Sequence, residues 1–320
     1  MAEITVVLPV FNRAGVVTRA IDSVLGQTFG DFELVVVDDD SRDGTPERVA
    51  SYADPRIRLI RVDRNRGACA ARNRGIDSAR GGIVCFLDSD DVYRPTKLEV
   101  VRAFFHAQPA LDLLVDSFVC RKGLDGNGKR TPKLNPPGLT GAEFRAAVFE
   151  RRIAKATSAL SVRRRAFLEG GGFDEALRRR QDFDLVLRLS RARVCLSTDQ
   201  VLWDKFDSAD AISRDHARFV QASIDVCDRH PEYLQAHAPA LYRDLRSHFL
   251  SLIKRRHLGS FVRDARLYAG YRPFAPSLAR LMLDARVSRP DSDASIQRWR
   301  AASGNPSRIA ETSCAPASVE

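Results

Sequence analysis

Residues 83–91 read IVCFLDSDD, an apolar run from Ile83 to Leu87 that passes straight into Asp88, Ser89, Asp90 and Asp91. A short unbroken apolar run predicts a strand buried on both faces, as parallel strands beneath helices are. The same design recurs towards the N-terminus. Ile4–Val10 ends in Pro9-Val10-Phe11-Asn12, and Leu34–Val37 is stopped by Asp38, Asp39, Asp40 and Ser41. Between these runs, Val17, Ala20, Ile21 and Val24 fall at helical spacing. Thr45-Pro46-Glu47 predicts a second helix, with Thr45 as N-cap and Pro46 in the first turn. Ile57–Val62 reads as a strand and Ala68–Ala79 as a small-residue helix that Gly81-Gly82 ends. This βαβαβ order predicts an α/β fold, a mainly parallel Rossmann-like sheet flanked by helices.

Towards the C-terminus the pattern is less regular. Leu111–Val119 and Ser158–Val162 read as strands, and Leu124–Gly138 as a polar loop rich in Gly and Pro. Thr140-Gly141-Ala142-Glu143 has the form of a capping box opening a helix towards Phe149. Asp182–Ser190 is a strongly apolar helix, and from about Asp215 the pattern is helical with breaks at Pro231, Gly259 and Pro273. Residues after Ser303 are small and polar, which predicts a frayed tail.

The chain has 320 residues and a formal charge of +10, which favours anionic partners. Leu241–Glu320 holds 14 Lys+Arg against 7 Asp+Glu, a net of +7, leaving +3 for the rest. That excess fits either a solvated Arg-rich helical surface or contact with an anionic membrane. Nucleic acid is not expected, because the arginines are not interleaved with aromatics as a stacking platform requires. The six cysteines (Cys69, Cys85, Cys120, Cys195, Cys227, Cys314) include no CxxC pair and read as reduced thiols of a cytoplasmic protein. The opening MAEITVVLPVFN lacks signal-peptide design. No apolar stretch reaches the roughly 18 residues of a membrane span.

Ligands of open parallel sheets sit beyond the carboxyl ends of the strands. Carboxylates crowded there raise one another's pKa, so folding alone does not favour them, and a hard divalent cation relieves the repulsion. A DxD triplet alone says little, since the chain has four: Asp38-x-Asp40, Asp88-x-Asp90, Asp182-x-Asp184 and Asp291-x-Asp293. Asp291-x-Asp293 beside Pro290 reads as a solvated loop. Asp88-x-Asp90 directly follows a buried run, and that placement points to a metal.

Seven segments now carry a family resemblance: PVFN (Pro9–Asn12), SVLGQT (Ser23–Thr28), ELVVVDDDSRDGT (Glu33–Thr45), NRGACAARNRGI (Asn65–Ile76), FLDSDD (Phe86–Asp91), GGFDE (Gly171–Glu175) and QDFDLVLRL (Gln181–Leu189). In this order and spacing they resemble family 2 inverting glycosyltransferases of the GT-A fold, over roughly residues 3–215. The resemblance implies a GT-A domain over 1–215, with a nucleotide-sugar-binding half (1–110) and an acceptor half (111–215). A helical extension (216–302) and a flexible tail (303–320) would follow. It implies Mn²⁺ or Mg²⁺ held by Asp88 and Asp90 against a donor diphosphate. Nucleotide-sugar contacts are implied for Pro9, Phe11, Asn12, Asp38, Asp39, Arg72, Asp88 and Ser89. Phe11 would pack on the base, Asp39 accept the uracil imide N–H, and Arg72 reach phosphate or ribose. The catalytic base implied is Asp182, with Gly172, Phe173 and Asp184 as acceptor contacts.

Each role has a plainer competitor. Phe11 fits a core, Arg72 a helix surface, Asp38 a turn held through Ser41 or Thr45, and Asp182 an N-cap. Asp184 and Arg188 fit an i,i+4 pair, and Asn65 and Asn73 fit local turns or caps. Two departures stand out: Gln181 occupies the place of the family's usual Glu, and the stretch Trp203–Asp207 lacks the His that closes over the diphosphate. His216 is a substitute candidate, or simply structural at a helix start. Without Q-x-x-R-W (Gln297-Arg298-Trp299 lacks the spacing), single-sugar transfer is expected rather than polymer extrusion. The implied setting is cell-surface polysaccharide or glycoconjugate synthesis, on a saccharide or lipid-linked acceptor, in the cytoplasm or at the membrane's cytoplasmic face. A sugar-phosphate nucleotidylyltransferase and a non-catalytic nucleotide-sugar-binding scaffold are the alternatives.

Overall fold

A computed structural model describes residues 2–122, 128–206 and 218–283. Three runs lie outside them: 123–127; 207–217, with Asp207 and His216; and 284–320, with Asp291-x-Asp293, Gln297-Arg298-Trp299, Cys314 and the expected tail. The described residues fall within one compact unit.

The apolar runs do become strands: β1 (Ile4–Val10), β2 (Phe32–Asp38), β3 (Ile57–Arg61) and β4 (Ile83–Phe86). The periodic segments between them become α1 (Val17–Leu25), α2 (Thr45–Ala50) and α3 (Ala68–Asp77). β1 pairs in parallel with β2 on one side and β4 on the other, and β2 carries β3 outward. The chain therefore reverses direction across the sheet between β1 and β4, which opens a crevice beyond their carboxyl ends. α3 lies close over this half because Gly75 has no side chain. A Cβ there would stand 2.5 Å from Val7 Cγ1, so the small-residue helix is a packing requirement.

Beyond β4 the sheet turns mixed. β5 (Val92–Tyr93), α4 (Lys97–Ala107), β6 (Leu111–Arg121), β7 (Arg130–Lys133), α5 (Gly141–Phe149), β8 (Leu160–Arg163), α6 (Arg164–Glu169), α7 (Gln181–Ala192) and β9 (Val194–Phe206) follow. The strand order is β3-β2-β1-β4-β8-β6-β9-β5, with β7 against β6. The expected polar loop 124–138 thus contains a short strand. The helices α8 (Phe219–Arg229), α9 (Pro231–Lys254), α10 (Leu258–Gly270) and α11 (Leu278–Leu283) complete the described chain. They pack back on α5 and α7: Phe149 stacks on Tyr233 at 5.4 Å, and His230 pairs with Asp184 at 2.9 Å.

Three local expectations are corrected. The N-cap of α2 is Gly44 at φ 82, and Thr45 lies inside the helix, its hydroxyl donating to Asp43 Oδ1 and accepting from Arg13 N–H. Thr140 does sit at the N-cap of α5, yet no side-chain cap bond forms, so the capping box is not made. Gly259 does not break the helices; residues 255–257 do, and Gly259 lies inside α10. All five described cysteines are free thiols. Among the described residues no helix is long and apolar enough to cross a membrane.

Candidate active site

The crevice at the β1/β4 switch is a cavity of about 600 Å³. Its walls come from Pro9–Arg13 after β1, Asp39 after β2, Asn65–Ala68 leading into α3, Arg72 on α3, Asp88–Asp90 after β4, and Lys205 near the end of β9. Pairing aligns these ends, with Val10 opposite Asp38 and Val7 opposite Phe86.

Phe11 is 43% exposed and offers its ring to the cavity, which removes the core reading. Asn12, at φ 52, is fixed by its N–H to Ser41 Oγ (2.8 Å) and by Arg42 N–H to its Oδ1 (2.9 Å). Asp39 accepts Arg66 N–H at 2.9 Å and Gly67 N–H at 2.7 Å, one on each oxygen. Asn65 donates to the Asp39 carbonyl at 3.1 Å, so the 65–67 turn is tied to the end of β2. Asp38 behaves differently. It is fully buried, accepts Ser41 N–H, pairs with Arg61 at 3.4 Å and is not among the cavity's lining residues. Its implied nucleotide contact is corrected to a turn-holding role.

Arg72 is 5% exposed, not a surface residue, and its Nη2 donates to Asp88 Oδ1 at 2.6 Å. The guanidinium therefore holds Asp88 at the wall of the cavity that Arg72 also lines. Asp91 is fully buried: Ser158 Oγ donates to its Oδ2 at 2.6 Å and accepts Asp88 N–H at 3.0 Å. Lys97 holds the Ser158 carbonyl at 3.0 Å and Asp116 at 2.5 Å.

The electrostatics show a shortage of positive charge. Burial and the neighbouring Asp88 raise the Asp90 carboxyl above its ordinary value. Burial, with Asp88 and Asp90 nearby, pushes Asp91 up to about 8, against the pull of Lys205 and Ser158. Burial disfavours the Lys205 ammonium, yet the charges of Asp91, Asp88 and Asp90 outweigh it and hold the pKa above the ordinary lysine value. A divalent cation fits this donor set: hard oxygen ligands, mutual repulsion and an open side. Among the described residues no group of three or more His, Cys, Asp or Glu side chains forms a complete metal site. Such an ion would take Asp88 and Asp90 from the protein and further oxygens from a ligand.

Asp182 lines a different cavity, of about 300 Å³, at the first turn of α7. It is not the cap, since Arg180 holds the N-cap position at φ 63. The two cavities are joined through the chain. Lys155 lines the second, and Ser158, three residues on, touches the Asp88–Asp91 cluster. Phe118 of the second cavity stacks at 4.3 Å on Trp203, two residues before Lys205 of the first.

The expected acceptor contacts are not available. Phe173 is 2% exposed, packed against Phe86 and Phe167. Asp184 is 1% exposed, between His230 and Arg188 (2.8 Å), so the i,i+4 pair is real. Gly172 is buried at φ 67, where a Cβ would stand 3.0 Å from Asn73 Oδ1. Asn73 is itself a long-range tie, exchanging two 2.9 Å bonds with the Phe173 backbone. Lys205, Ser158, Lys155 and Arg180 are site residues that motif reading does not find. Only the position of Lys205, in the stretch that lacks the family's His, carries a sequence signal.

The model of glycosyl transferase family 2 matches residues 5–169, 165 of the 320. The chain belongs to glycosyl transferase family 2. Its curated relatives include the succinoglycan biosynthesis protein ExoO of Rhizobium meliloti, 40% identical over 203 residues, 58% of this chain and 54% of that protein. Another is the UDP-Glc:alpha-D-GlcNAc-diphosphoundecaprenol beta-1,3-glucosyltransferase WfgD of Escherichia coli, 39% identical over 97 residues, 30% of this chain and 38% of that protein. The family 2 chain thus spans about half the length of the first relative and less of the second. S. aureus TarS 1-349, solved with UDP-GlcNAc, superposes with a TM-score of 0.62 at 18% identity, covering 84% of this chain and 83% of that one. That likeness is one of fold, the GT-A type.

Proposed function

We propose that this chain transfers one sugar, with inversion, from a UDP-sugar to a saccharide or lipid-linked acceptor, assisted by Mn²⁺ or Mg²⁺, in cell-surface polysaccharide or glycoconjugate synthesis. The observation that carries the reading is the crevice at the β1/β4 switch, where one aromatic face, one backbone-anchored carboxylate and a charge-starved carboxylate pair converge. Relatives named for polysaccharide synthesis and a UDP-GlcNAc-bound fold neighbour support it.

In this reading Phe11 covers the base. Asp39 uses one lone pair of each oxygen on the 65–67 turn, which leaves acceptor capacity for the uracil imide N–H. Arg72 holds Asp88 in register with Asp90. When bound, the cation neutralises charge developing on the leaving nucleoside diphosphate. Lys205 adds a fixed positive charge from the opposite wall, where the family's His would act. Asp182 takes the proton of the acceptor hydroxyl as it attacks from the face opposite the diphosphate. The GT-A portion (1–215) performs this chemistry, and the C-terminal helices dock the enzyme on an anionic membrane at its cytoplasmic face. Leu250, Ile253, Leu258 and Val262 are exposed there beside Lys254, Arg256 and Arg266. The test is titration calorimetry with UDP, with and without Mn²⁺. Saturable, metal-enhanced binding is expected, and UDP that fails to bind under either condition refutes the donor assignment.

A further inference from the structure

The cavity beside Asp182 is basic in a way that general-base catalysis does not require. Lys133 of β7, Arg151 and Lys155 after α5, and Arg179 and Arg180 before α7 line it, against the single carboxylate of Asp182. Behind the wall, Asp244 of α9 lies 2.7 Å from Arg151 and 3.7 Å from Arg180. That one carboxylate is shared between two guanidinium groups.

Two cations here, buried Arg180 and half-buried Lys155, lack adequate partners. The Arg180 side chain is 7% exposed, and neither Nη1 nor Nη2 has a hydrogen-bond partner. Its nearest company is the Asp244 carboxylate and the Phe219 ring, 4.9 Å from its guanidinium carbon. Its backbone takes the left-handed conformation, φ 63, directly before α7, a strained position for a residue with a side chain. Lys155 makes no hydrogen bond or ion pair with a described residue, and its ammonium sits 4.1 Å over the Phe183 ring. Burial and the charges of Arg151 and Arg180 pull its pKa down to about 7, against Asp182 and Asp244. Folding alone favours satisfying or removing such groups, because buried donors without acceptors are costly.

We infer that this cavity binds an anionic group of the acceptor, a phosphoryl or carboxylate oxyanion, on Lys155 and Arg180, and so presents the acceptor hydroxyl to Asp182. The inference rests on the reading of Asp182 as the acceptor-side base. It narrows the acceptor class to molecules that carry negative charge close to the hydroxyl being glycosylated. Neutral saccharides leave the guanidinium and the ammonium unpaired.

The experiment is calorimetric titration of the full chain, saturated with UDP and Mg²⁺ so that the first cavity is occupied. The probes are methyl phosphate, glucuronate and, as a neutral control, methyl glucoside. Saturable binding of an anionic probe is expected, with none for the neutral one. Lys155→Gln should weaken it about tenfold or more, the loss of one charge-assisted bond. A preference for methyl phosphate identifies a phosphoryl-bearing acceptor, and a preference for glucuronate a uronate-bearing one. Absence of anion binding, or binding unchanged in Lys155→Gln, overturns the inference. Arg180→Gln, at the other proposed ligand, provides a second variant should Lys155→Gln misfold, and the same two outcomes decide it. UDP affinity is read in a separate titration of the unliganded chain and of each variant, so loss of the donor reading is seen separately from loss of this one.

Discussion

The two cavities differ in charge and in construction. The one at the β1/β4 switch is walled by the carboxylates of Asp39, Asp88 and Asp90 at strand ends, faced by Arg13, Arg72 and Lys205. The one at the start of α7 is walled by Lys and Arg, with Asp182 as its lone carboxylate. Each is short of the charge its ligand would bring: a cation with a nucleotide in the first, an anionic acceptor in the second. A transferase that must keep donor and acceptor apart gains selectivity from such a contrast, because the carboxylates of the first cavity disfavour an anionic acceptor there.

The largest expected effect tests the division of labour. Asp182→Asn keeps the shape of the second cavity and removes only the proton acceptor. Transfer should fall by about 10²–10⁴-fold, the range for a lost general base. UDP affinity should stay within about twofold, since Asp182 lines no part of the first cavity. Retained transfer at near wild-type rate would move the base elsewhere.

The next effect belongs to the first cavity. Asp90→Asn removes a carboxylate that burial and Asp88 already disfavour in the charged form. The variant should fold at least as well as the parent in the absence of metal, because a source of repulsion is gone. Its metal-dependent gain in UDP affinity should drop by about 100-fold, the several kcal/mol that a bridging ion supplies. Anion binding to the second cavity should not change. If Asp90→Asn weakened both equally, the cavities would be one site.

The same contrast explains what could be read from sequence. The first cavity is assembled from contiguous motifs, because a parallel sheet sets its strand ends side by side. Pro9–Asn12, Asp38–Ser41 and Asp88–Asp91 therefore announced both the fold and the location. Even there, orientation lay beyond sequence. Asp38 and Asp39 are adjacent, and only the alternation of a strand end sends one into the turn and the other into the crevice. The second cavity draws on residues 118, 133, 151, 153–155, 179, 180, 182, 183 and 219, separated by up to 101 positions and brought together by the mixed half of the sheet. No motif links Lys155 to Arg180. The GGFDE segment misled for a related reason. Phe173 and Gly172 are packed against Phe86, Phe167 and Asn73, so folding alone accounts for them. β9 was unreadable too, since its 13 residues carry Asp199 and Gln200 midway and register shifts against β6.

The smallest effect is also the most specific to the basic cavity. With its pKa near 7, Lys155 is mostly neutral at pH 8 in the empty protein. An oxyanion bound beside it favours the charged form and raises the pKa towards the ordinary lysine value. The bound state then holds more protons than the free state, so binding at pH 8 takes up a proton, approaching one per site, and affinity falls as pH rises above about 7. At pH 6 Lys155 is already charged and the uptake should vanish. The charged groups facing it are Arg151, Arg179, Arg180, Asp182 and Asp244, and burial lowers Arg180 only to about 10, above this window. Sulfate is the suitable probe, because it carries no titrating proton of its own there. Calorimetry at pH 8 in buffers of different ionisation enthalpy measures the uptake directly, and Lys155→Gln should abolish it. In the unliganded chain the sign is reversed in consequence. The unfolded Lys155 keeps its proton up to about 10.5 while the folded one loses it near 7, so this residue's penalty to folding is relieved as pH climbs between those values. Uptake that persisted in Lys155→Gln would assign the proton to another group and leave the basic cavity without its proposed anchor.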